Sequence, residues 1–161
     1  MVGPGPGVPD TEREIAAMLA AFDPVIGQEL AQARALLRAL FPRGHELVFD
    51  NFNALVFAFS ATPSPSRAFV SVAGYPRWVN LFFSHGVDLD DPQGLLQGSG
   101  RRVRCIRLKG ADQLLTPQVQ GLLVQAMQTH REALEQAPAL STTIRAVAAT
   151  RRARRGPPQA E

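Results

Sequence analysis

The sequence has a single cysteine, a single tryptophan and a single tyrosine, and one lysine against 16 arginines. One cysteine, Cys105, excludes a disulfide scaffold. No apolar run reaches the ~18 residues of a membrane span, and the N-terminus lacks the charged-then-apolar order of a secretory signal. A reducing, cytoplasmic setting is expected, with no membrane partner. His45, His85 and His130 stand far apart and show no metal-ligand spacing such as HExxH. No serine sits in a nucleophile elbow, and a lone strand cysteine is more often a small buried hydrophobe than a nucleophile. The inventory argues against an enzyme, and no motif names a cofactor. What the chain does have is 161 residues, 45% of them hydrophobic, enough for one domain with a sizeable core.

Charge is unevenly placed. Residues 141–161 carry Arg145, Arg151, Arg152, Arg154 and Arg155 against Glu161, whereas the chain as a whole is only +3. Residues 1–10, rich in Gly and Pro, read as a disordered lead-in. Residues 11–140 read as the folded domain, and 141–161 as an Arg-rich tail whose removal at about Thr150 leaves the fold intact.

Thr11 and Glu14 fit a capping box, and Ile15, Met18, Leu19 and Phe22 then share one helix face. Asp23-Pro24 starts a second helix, whose apolar residues keep a 3.6-residue period to Phe41. The middle of the chain changes to short runs rich in Val, Phe and Ala. Residues 47–49, 54–59, 68–73 and 78–83 predict four strands of a meander, and 102–108 a fifth. Short connections favour antiparallel pairing. Asp91-Pro92 predicts a short helix, and Thr116-Pro117 caps a last long helix running to near Pro138. The fold class is α+β: an antiparallel sheet of about five strands with helices packed on one face.

Alternation puts Trp78, Asn80 and Phe82 on one side of the fourth strand and Val79, Leu81 and Phe83 on the other. With Tyr75 and Arg77 nearby, this could gather an aromatic ring, an amide and a guanidinium into a shallow site for a planar or anionic small molecule. The alternative is a sheet cover in which Arg77 lies over Trp78 as a cation–π lid. Asp50 and Asn53 flank the first turn, and Asp50 is expected to pair with Arg77 or Arg104 if it faces the Asn80 side. The candidate ligand residues are therefore Asp50, Asn53, Tyr75, Arg77, Trp78, Asn80 and Arg104. Arg101, Arg102, Arg104, Arg107 and Lys109 form the densest basic run of the ordered part. Together with Arg151, Arg152, Arg154 and Arg155, they offer weak, non-specific nucleic-acid binding. A charged edge strand explains the same run without a ligand.

Three stretches taken in order carry a resemblance: 49–55 (FDNFNAL), 75–83 (YPRWVNLFF) and 95–100 running into 104–108. They resemble the DUF1801 group of bacterial domains with a YdhG-like fold. The resemblance covers residues 12–130 and implies an antiparallel sheet with flanking helices. One branch of that family has been proposed to act as a frataxin-like iron carrier. Such a surface needs many oxygen ligands, and the nearest set here is Asp88, Asp90 and Asp91.

Overall fold

In the computed structural model, which describes residues 10–155, two helices precede a meander of strands. Helix α1 spans Asp10–Ala20 and α2 spans Pro24–Leu40. The strands are β1 (His45–Asp50), β2 (Leu55–Ser60), β3 (Ala68–Gly74), β4 (Val79–Phe83) and β5 (Arg104–Arg107). Helices α3 (Pro117–Gln128) and α4 (Arg131–Gln136) follow, and the chain returns as β6 (Ser141–Val147). The order across the sheet is β5-β4-β3-β2-β1-β6. The α+β class expected from the sequence is observed, with two corrections. The sheet has six strands rather than about five. It is also mixed, because β6 pairs parallel to β1 while every other pair is antiparallel.

Helices α1, α2 and α3 pack on one face of the sheet. Strand alternation sends Val48, Leu55, Phe57, Val70, Val72, Val79, Leu81 and Phe83 into that layer, where they meet Phe22, Leu30, Leu37 and Leu123. Burial of this apolar surface is the main favourable contribution to folding. At the start of β3 the register shifts, so that Ser60 pairs with Ala68 and Phe59 with Val70. Phe69 is the extra residue of this bulge. It turns toward the helices and meets the Phe41 ring edge-on at 5.1 Å.

The short helix expected at Asp91-Pro92 does not form. The Asp91 carboxylate instead accepts the backbone N–H groups of Leu95 and Leu96 at 3.0 and 2.9 Å. Gln97 then bridges to Cys105 beyond the edge of β5. An aspartate that bonds the backbone four and five residues on closes a loop rather than starting a helix. The long last helix is broken at Thr129-His130 into α3 and α4. Among the described residues no helix is long and apolar enough to cross a membrane.

The segment read as a trailing Arg-rich tail is structural through Arg155. Thr142 and Ile144 of β6 face the helices, where the Thr142 hydroxyl donates to Glu46 at 2.7 Å and Ile144 packs on the core. Beyond β6, Arg151 and Arg154 both donate to the Asp50 carboxylate, Arg154 at 2.7 Å. Arg154 also lies over the Phe22 ring. The expectations for residues 1–9 and 156–161 lie outside the described residues.

Candidate functional site

The second face of the sheet carries no helix among the described residues, and strand register sets its composition. One row runs across five strands: Phe49, Val56, Ala73, Asn80 and Arg107, each paired to the next. The neighbouring row runs Leu47, Ala58, Ser71, Phe82 and Cys105 in the same way. Small residues on β2 and β3 therefore lie between Leu47 and Phe49 on one side and Asn80 and Phe82 on the other. With strands about 4.8 Å apart, the trough between β1 and β4 is roughly 14 Å wide.

The trough ends in an aromatic corner. The β3–β4 turn closes with the Tyr75 N–H donating to the Trp78 carbonyl at 2.9 Å. That brings the two rings to 5.7 Å at a tilt of 30°. Arg107, paired with Asn80, lays its guanidinium over the Trp78 ring at 4.1 Å. Arg107 itself is exposed, while Tyr75, Trp78, Asn80 and Phe82 are half-buried. Burial and the neighbouring Cys105 thiol raise the Tyr75 pKa. Burial also raises that of Cys105, against the lowering pull of Arg107. Both groups are thus neutral at pH 7. The Oδ1 of Asn80 is buried with no hydrogen-bond partner among the described residues.

The open face carries no strand carboxylate. Among the described residues the strands contain only two, Glu46 and Asp50, and both point to the helix side. Glu46 is fully buried under Arg34 and Arg38, and Asp50 under Arg151 and Arg154. Arg107 is left exposed on this face beside half-buried aromatic rings, with no ion pair among the described residues, while Leu47, Ala58 and Ala73 beneath are buried.

Of the seven residues singled out in the sequence, the structure gathers Tyr75, Trp78 and Asn80. Asp50 lies on the opposite face and pairs with Arg151 and Arg154, not with Arg77 or Arg104. A single strand alternation decides the face of Asp50, and that parity was open while the β1 register was unknown. Asn53 is exposed in the β1–β2 turn, and Arg77 is exposed in the β3–β4 turn. The cation over Trp78 is Arg107, not Arg77. Arg104 sits at the far end of β5, where it packs against Gly86 and donates to the Gly100 and Val103 carbonyls at 2.6 and 2.8 Å.

Sequence reasoning missed Arg107, Phe49 and Cys105 as members of this face. Neither face of 101–109 is cleanly apolar, so its parity could not be read. Cross-strand register, which places Arg107 beside Asn80, is set by contacts distant in sequence. The three carboxylates considered for iron do not converge. Asp91 spends both oxygens on backbone N–H groups, and among the described residues no three His, Cys, Asp or Glu side chains could hold a metal ion. No family model matches the chain, and comparison with curated proteins and with solved structures finds no match.

Proposed function

We propose that the open sheet face binds single-stranded nucleic acid. The observation that supports this is the pairing of aromatic rings with an exposed, uncompensated guanidinium on a sheet face free of strand carboxylates. Unpaired bases stack on aromatic rings and on Arg guanidinium planes, and sheets covered by helices on one side only offer such platforms. The Arg107 guanidinium lies over the Trp78 ring and is exposed to a base, with Phe82 and Phe49 farther along the trough. Arg77 and Lys109 are exposed nearby in sequence and supply charge for phosphates. A small-molecule site is concave and enclosing, whereas a trough open along its length suits an extended chain. Membership of the DUF1801 group, proposed on residues 49–55 and 75–83, bears on the fold and leaves the ligand open.

Fluorescence anisotropy with labelled single strands of about 8–16 nucleotides tests the proposal. Binding is expected to strengthen with length and fall with salt. Arg107→Glu weakens it and lowers the magnitude of the salt slope by about 1 or more. Trp78→Ala weakens it about tenfold, the equivalent of one lost stacking contact. Affinity that saturates with a mononucleotide would return the site to the smaller planar anion expected from the sequence. Binding untouched by both substitutions would remove the open face as the site.

A further inference from the structure

A cleft lies on the helix side, away from the open face, between the last turn of α3 and the ends of β3 and β4. It encloses about 590 Å³, within the size range of small-molecule sites. Three unrelated sequence features build it. The β3 bulge turns Phe69 toward the helices. The break between α3 and α4 places His130 as the residue before α4, and its ring stacks on Phe69 at 5.0 Å and 25°. The turn after β4 brings His85 to the rim, and Arg67 closes the side from the residue before β3.

The lining is two-sided in character. Phe69, Leu89 and Ala126 form an apolar wall, while Arg67, His85 and His130 gather basic nitrogen at one end. Asp88 is the one carboxylate in the lining, and it is exposed with no ion pair among the described residues. Burial lowers the His130 pKa, and the proximity of His85 and Arg67 lowers it further. The imidazole is therefore neutral at pH 7, and the cleft carries Arg67 as its permanent cation.

We infer that this cleft binds a small organic carboxylate, its anionic group held by Arg67, His85 and His130 and its apolar body against Phe69, Leu89 and Ala126. The planar fork of an arginine matches a carboxylate in two parallel hydrogen bonds. One fixed cation beside two imidazoles balances a monoanion, and the apolar wall selects a hydrocarbon body over a bare ion. A bound carboxylate opposes the positive neighbours that depress His130, so binding is coupled to proton uptake. Affinity then rises as pH falls through the His130 titration, and Asp88, Arg67 and His85 are the charged groups facing it.

Titration calorimetry with octanoate, inorganic phosphate and phenyl phosphate separates the possibilities, with the imidazole signals followed by NMR. Octanoate is expected to bind more tightly at about pH 6 than at about pH 8 and to shift the His130 ring signals. Arg67→Ala should weaken it about tenfold, and His130→Gln should reduce the pH dependence while the thermal midpoint stays near that of the parent. Inorganic phosphate binding as tightly as octanoate would overturn the carboxylate assignment. So would octanoate binding that is independent of pH and unaffected by Arg67→Ala, or no octanoate binding at about 10 mM, well above the ~1 mM of weak ligands. Oligonucleotide binding on the opposite face is read separately, so failure of either site leaves the other standing.

Discussion

Glu46 is fully buried and heavily hydrogen-bonded. Its carboxylate accepts from Arg34 at 2.8 and 2.9 Å, from Arg38, and from the Thr142 hydroxyl at 2.7 Å. Arg34 reaches across at the same time to Glu12 of α1, at 3.0 and 2.9 Å. One guanidinium thus ties α1, α2 and β1 together. Removing one partner of a buried pair strands the other charge, so Glu46→Ala is expected to cost about 3–5 kcal/mol in denaturant melts. The Glu12 end titrates. The hydrogen bond from Arg34 outweighs partial burial and holds its carboxyl below the usual 4.5. A depressed carboxylate stabilises the fold above its unfolded value, and that contribution is lost as pH falls through the folded value. The urea midpoint should therefore drop as pH falls below about 4.5, and Glu12→Gln should flatten that drop. Gly44 is constrained by a different cause. Its φ is +105°, and an added Cβ would lie 2.5 Å from the Ser60 carbonyl oxygen, a backbone atom that cannot swing aside. Gly44→Ala is expected to cost more than the roughly 1 kcal/mol of an ordinary glycine replacement.

At the scale of elements, β6 and the five residues that end the described chain behave as one latch. Asp50 is 1% exposed, and both of its arginine partners come from this segment. Truncation at Thr150, which sequence reasoning expects to be harmless, removes Arg151 and Arg154 together. It leaves a buried, unpaired carboxylate, so a loss of about 3–5 kcal/mol is expected by urea melt. Adding Asp50→Asn to the truncated chain should restore part of that loss, because it removes the stranded charge while the contacts of Arg154 with Phe22 and of Arg155 with the Ala20 carbonyl stay lost. The reason the latch was illegible is instructive. Residues 151–155 read as solvated charge because composition does not reveal a buried partner a hundred positions earlier. The sequence of β6, STTIRAV, has the β-branched content of a strand, but its alternation of Thr142 and Ile144 is half polar and gives a weak signal. By contrast Val79, Leu81 and Phe83 alternate cleanly, and that strand and its buried face were legible from the sequence alone. Trp78 and Asn80 followed from the same parity and Tyr75 from its nearness in the turn before them, whereas Arg107 needed the β4–β5 register.

Taken whole, the molecule divides its charges by face. Both strand carboxylates are sequestered under the helices with four arginines, while the opposite side keeps its cation uncovered. The meander from β1 to β5 is local in sequence, with each strand pairing its successor, and contacts of that kind form quickly. β6 is the exception, since it must find β1 from about a hundred residues away, and ordering a loop of that length opposes the pairing. During synthesis, β1 through β5 emerge first. Until β6 follows, β1 is the bare margin of a five-stranded sheet, and Asp50 waits without its arginines. A ribosome-bound chain stalled before Ser141 should therefore present an adhesive strand to its neighbours, and translation of β6 converts that margin into an interior strand.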